Sequence, residues 1–142
     1  MGRAWGCLVA AGVIAALGTS GCGGSSAAPT EPPATVTHLG SLVRVTLSPE
    51  ALARIGVRTA PAGRAAGRAD VAAIPYAAVV YAPDGAPSVF TSSAPRQYIR
   101  RPIVIDHISG NVTYVKKGLS PGTPLVTVGA VELLGAETGV EG

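Results

Sequence analysis

Gly118-Leu119-Ser120-Pro121-Gly122-Thr123-Pro124-Leu125-Val126-Thr127-Val128-Gly129 reads as a turn, a strand and a second turn. Gly118, Pro121 and Gly122 supply the backbone freedom and the fixed φ that a tight reversal requires. Leu125, Val126 and Val128 favour an extended strand, which Gly129 closes. Apart from Ser120, Thr123 and Thr127, the stretch holds no side chain suited to nucleophilic or acid–base work. It is scaffold, and it turns the reading away from catalysis.

Upstream of it the chain keeps the same grammar. Leu42-Val43-Arg44-Val45-Thr46-Leu47 alternates with period two, which predicts a half-buried strand. Ser48-Pro49-Glu50 then places a capping hydroxyl, a proline at the first helical position and an acid in the first turn. This predicts a short helix over Pro49–Ile55, capped by Gly56. Val57–Ala60 reads as a strand and Pro61–Ala66 as an exposed loop. Ile74–Tyr81 reads as a strand with Pro75 near its start. Pro83-Asp84-Gly85 is a turn, Ser88–Thr91 the returning hairpin strand, and Ser92–Arg96 a loop. Tyr98–Ile105 reads as one longer strand disturbed at Pro102. Ser109-Gly110-Asn111 is a turn before the strand Val112–Val115, and Ala130–Leu134 is one helical turn. The expectation is a mostly β fold: a small antiparallel β-barrel or β-roll of about six or seven strands with one short helix.

Composition agrees. Charged residues make up 13% of the 142, about half the usual share, while Gly (19) and Pro (12) are abundant. Short strands with many turns suit these numbers better than long helices. Aromatics at 4% are too few for a stacking platform, so no nucleic-acid partner is expected. The net charge of +3 is spread thinly, with basic doublets only at Arg100-Arg101 and Lys116-Lys117. These doublets suit either contact with an anionic surface or protection of strand edges by charge.

The first residues carry a different signal. A positive charge at Arg3 precedes an apolar run, Trp5–Leu17, of about 13 residues, where a membrane span needs about 20. Small residues and Cys22 follow. This is the order of a secretory signal over residues 1–21. Ser20-Gly21-Cys22 resembles the lipobox of bacterial lipoproteins, although Thr19 stands where Leu is usual. The resemblance implies lipid attachment at Cys22. The alternative is an ordinary cleaved signal ending near a cysteine. The other cysteine, Cys7, lies inside the leader, so neither a disulfide nor a Cys-based metal site is expected. Residues 22–41, rich in Ala, Pro, Thr and Ser from Ser25 to Thr37, read as a linker. Residues 42–137 read as one domain and 138–142 as a tail.

The order of segments in that domain resembles a known family. Ile74-Pro75-Tyr76-Ala77-Ala78-Val79-Val80, the turn at Gly85 and Ser88-Val89-Phe90 resemble the opening of the membrane-proximal domain of periplasmic adaptor subunits, the membrane fusion proteins of efflux transporters. Arg101-Pro102-Ile103-Val104-Ile105, Gly118-Leu119-Ser120-Pro121-Gly122 and Leu125–Ala130 resemble its close. Val43–Thr59 is similar to the family's N-terminal segment. The resemblance covers about residues 42–137 and rests on turn and strand signals. It implies an accessory subunit on the extracytoplasmic face of the cell membrane, anchored by lipid and working by protein–protein contact with an ABC or RND-type permease, with no enzymatic activity and no cofactor. Only Ala60–Ala73 separates the two halves, so the lipoyl-like domain and helical hairpin of the family are missing, and Thr123 stands where the family commonly has an acid. The alternative is an extracytoplasmic lipoprotein module that binds a small ligand or a cell-wall component.

The chemical candidates are sparse. His38 and His107 are the only imidazoles and Met1 the only methionine, which is thin material for a soft-metal site. Asp106-His107 invites a catalytic reading with Ser109 or Ser120 as nucleophile, but neighbours on a regular strand point to opposite faces. Asp84, Glu132 and Glu137 read as isolated acids.

Overall fold

The computed structural model describes residues 31–139. Eleven strands and two helices follow in order: β1 (Ala34–Leu39), β2 (Leu42–Leu47), α1 (Pro49–Ile55), β3 (Arg58–Pro61), β4 (Gly63–Ala65), β5 (Arg68–Pro75), a 3₁₀ turn (Tyr76–Ala78), β6 (Val80–Tyr81), β7 (Pro87–Ala94), β8 (Gln97–Pro102), β9 (Val104–Ser109), β10 (Val112–Lys117), β11 (Pro124–Val128) and α2 (Ala130–Thr138). All pairings are antiparallel.

The fold is mostly β, as its alternation predicts, but it is not a closed barrel and has more than six or seven strands. The strands form two open sheets. One runs β1-β2-β8-β7-β11-β3, with β6 also pairing β7; the other runs β4-β5-β10-β9. The extra strands arise where one apolar run serves both sheets. Tyr98–Ile105 divides at buried Ile103: β8 belongs to the large sheet and β9 to the small one. Proline at 102 has no N–H for a ladder, which ends β8 there. Ile74–Tyr81 likewise divides at the 3₁₀ turn. Two stretches read as loops are hairpins instead. Gly63–Ala65 pairs with β5 around Gly67, and β7 runs on to Ala94 before a two-residue reversal at Pro95-Arg96. Ala34–Leu39, read as part of a linker, is an edge strand in register with β2.

The helix over Pro49–Ile55 is where its caps place it. Ser48 Oγ accepts from Ala51 N at 3.1 Å, and Gly56 closes the helix with φ 68°. The expected single turn after Gly129 is a nine-residue helix, α2.

The stretch Gly118–Gly129 holds both sheets together. In β11, Leu125 and Val126 are fully buried on opposite faces. Leu125 joins a cluster with Ala72, Ile74, Val89, Ile103 and Val115 between the sheets. Val126 joins Val45, Leu47, Phe90 and Leu133 beneath the helices. The turn before β11 is itself a crossing between the sheets, and it is fixed to two of the others. Ala62, between β3 and β4, donates to Thr123 O at 2.8 Å and accepts from Gly122 N at 2.7 Å. Gly118, at φ 92°, packs so closely on Pro102 and Ile103 that a Cβ would overlap the Pro102 carbonyl oxygen.

Candidate functional site

The most organised polar cluster stands on the outer side of the small sheet. Tyr114 pairs with His107, but the next residue, Val115, pairs with Ile105, so Asp106 is the extra residue of a bulge. A bulge breaks strict alternation and re-aims side chains. Asp106 and His107, expected to diverge, therefore meet: Asp106 Oδ2 lies 2.8 Å from His107 Nδ1. The same oxygen accepts from Arg68 Nη1 at 2.7 Å. Arg68 belongs to β5 and Asp106 to β9, so this ion pair reaches across β10. The His107 ring stacks on Tyr114, with centroids 4.3 Å apart and planes 12° from parallel.

The hydrogen bond from Arg68, then that with His107, holds the Asp106 carboxyl below its ordinary value, and the carboxylate in turn raises Arg68. The cluster thus keeps an ionised carboxylate aligned with an imidazole. Among the described residues no serine hydroxyl bonds His107: Ser109 is exposed two residues along β9 on the same face, and Ser120 is exposed in the turn before β11. The arrangement orients an imidazole without presenting it to a nucleophile. Among these residues, too, no group of three or more His, Cys, Asp or Glu side chains is placed to hold a metal.

The remaining candidates scatter. His38 lies exposed on β1 opposite Val43, on a strand rather than in a linker. Cys22, the expected lipid attachment site, and Cys7 lie outside the described residues. Arg100-Arg101 sits on β8 and Lys116-Lys117 on β10, strands of different sheets, so the doublets are not cross-strand neighbours. Glu137 is not isolated. Both its carboxylate oxygens accept from Arg100 Nε, at 2.9 and 2.8 Å, and Arg100 Nη2 lies 2.8 Å from Oε1. The Glu137 side chain is only 8% exposed, so this pair fastens α2 to β8. Nothing in the local sequence announces it, because 37 residues separate the partners. Asp84 accepts from Ala86 N at 3.0 Å and shapes the turn between β6 and β7.

Among the described residues at least two concavities are of ligand size, one of about 440 Å³ lined by Ser41, Val43, Asp84 and Arg100 and one larger. The larger, a half-open groove of about 830 Å³, runs between α1, α2 and the start of β1. Its walls include Pro33, Leu47, Ala51, Ile55 and Val131, with Arg54 and Glu132 also lining it. Among the described residues, no helix is long and apolar enough to cross a membrane. Comparison with protein-family models, with curated proteins and with solved structures finds no match to this chain.

Proposed function

We propose that this chain is a membrane-anchored accessory subunit of an efflux transporter, adaptor-like, working by protein–protein contact on the extracytoplasmic face. The observation that carries the reading is the order of strand and turn segments from Leu42 to Glu137, set behind a leader that ends at Cys22. Among the described residues no hydroxyl hydrogen-bonds His107, which favours a module that works through its surfaces. Cys22 takes the lipid, and the chain between it and Ala34 is the tether.

The test is affinity capture of the intact lipoprotein from a mild detergent extract. A permease of the ABC or RND type is expected to co-purify, and its absence counts against the subunit reading. Cys22→Ser is expected to abolish acyl labelling and release the protein from membranes; labelling and retention unchanged would sink the anchor.

A second reading is favoured by the groove between α1 and α2. Its volume falls within the range of small-molecule sites. A lipoprotein that binds a small apolar ligand there would carry that ligand through purification with no permease attached.

A further inference from the structure

The large sheet has one face beneath the helices, and that face is closed by Val45, Leu47, Phe90, Tyr98 and Leu133. Its other face is covered by the inter-sheet cluster only toward β7 and β11, where Val89 and Leu125 lie. Over β1 it is exposed at Thr35 and Thr37, over β2 it is half-buried, and on β8 Ile99 is buried while Arg101 is exposed. The register aligns Thr37, Arg44, Ile99 and Thr91 in one row and Thr35, Thr46 and Gln97 in the next. Arg101, two residues beyond Ile99, points the same way.

The charge on this face is one-sided. β1, β2, β7 and β8 contain no Asp or Glu. Arg100 faces the helices and is satisfied by Glu137, whereas Arg44 and Arg101 form no ion pair among the described residues. Arg44 Nε is enclosed without an acceptor, and Arg101 Nε donates to Thr91 Oγ1 at 3.2 Å. The terminal nitrogens of both guanidiniums are thus unspent, on neighbouring strands about one diagonal step apart. Around them stand the hydroxyls of Thr37 and Thr46 and the Gln97 amide, with Ile99 between the two arginines and Leu39 and Leu42 at the hairpin end of the same face.

We propose that this face of β1, β2 and β8 docks on the anionic phospholipid headgroups of the membrane. The inference rests on the anchored reading given above. Two observations select the membrane as occupant. The face complements negative charge, and its two arginines beside Leu39 and Leu42 give the basic and apolar mixture that suits a headgroup boundary. It also begins at β1, the strand that the tether enters: Cys22 to Ala34 spans at most roughly 40–43 Å fully extended. Guanidiniums held that near an anionic leaflet fall within the range of its surface potential for part of their motion.

The test uses the full chain carrying Cys22→Ser, so that acyl chains do not mask the weaker term. Its partition onto phosphatidylglycerol-containing vesicles is compared with that onto pure phosphatidylcholine vesicles; the apolar leader is common to every variant. Arg44→Gln with Arg101→Gln is expected to lower the anionic-to-neutral ratio roughly ten-fold, and about 0.5 M salt to abolish the difference. Thr37→Asp, which leaves both arginines in place, is expected to lower the ratio as well. Arg54→Gln with Arg64→Gln, away from the face, is expected to leave it unchanged. A double Arg44/Arg101 variant with an unchanged ratio, or an equal fall in the Arg54/Arg64 control, overturns the proposal. So does a starting ratio near one, which would leave the face to an acidic protein. The anchor is read separately, by retention of the acylated wild-type chain on neutral vesicles, so either idea can fail alone.

Discussion

Gly118 shows how much one residue decides. Its φ of 92° lies where side chains are strained, and the Pro102 carbonyl occupies the space a Cβ would need. Gly118→Ala is therefore expected to cost at least about 1–3 kcal/mol, measured as a lowered urea midpoint with an unchanged slope. Gly129, at φ 88°, is similarly crowded by Ile55 and Val57, but those are side-chain methyls and a backbone carbon at the end of a short helix. Residues of this sort were legible. Ser48, Pro49 and Gly56 announced α1 because capping is a local matter, settled by atoms three or four residues apart. The partners of Asp106 and Glu137 were not, since each depends on residues nearly forty positions away.

At the scale of elements, the bulge in β9 has the clearest chemical consequence. It brings Asp106 under Arg68 and His107, and its carboxyl titrates below the ordinary value. A depressed folded value means that the contribution is present above the unfolded pKa and is lost as pH falls through the folded one. Asp106→Asn is thus expected to flatten the loss of thermal stability between about pH 5 and pH 2, while changing Tm less at pH below both values. Acid melts of the two proteins, compared by circular dichroism, check it; parallel curves across that range would remove the ion pair from any role in stability. The bulge itself left no mark in Val104–Ser109, because the signal is a count against the opposite strand. Other elements escaped for related reasons. Ala34–Leu39 has the Ala-Thr composition of the linker before it, and only its pairing with β2 makes it a strand. The β7–β8 reversal uses Arg96 at φ 63° where glycine or asparagine is the usual sign. The split of Tyr98–Ile105 was visible at Pro102, but the sheet change was not, because a strand pattern does not state which sheet it joins.

Across the whole molecule the two sheets are not independent. The chain passes between them at Ala62, at the 3₁₀ turn, at Ile103 and before β11, and Leu125 lies in the cluster shared by both. Truncating it leaves a cavity against strands of each sheet. Leu125→Ala is expected to cost about 2–5 kcal/mol and to unfold the molecule in a single transition. Two resolved transitions, or slow exchange surviving in β5 and β10 after β2 and β8 have opened, would show that the sheets fold separately.

The edge strand β1 has one more consequence, a mechanical one. Ala34 pairs with Leu47 at the open end of the β1–β2 hairpin, and Leu39 pairs with Leu42 at its closed end. A pull on the chain ahead of Ala34 loads these pairs one after another, as in unzipping, rather than all together as in shear. The strand yields before the sheet does. Its six residues release about 20 Å of extra reach as they peel, and they re-form when the tension drops.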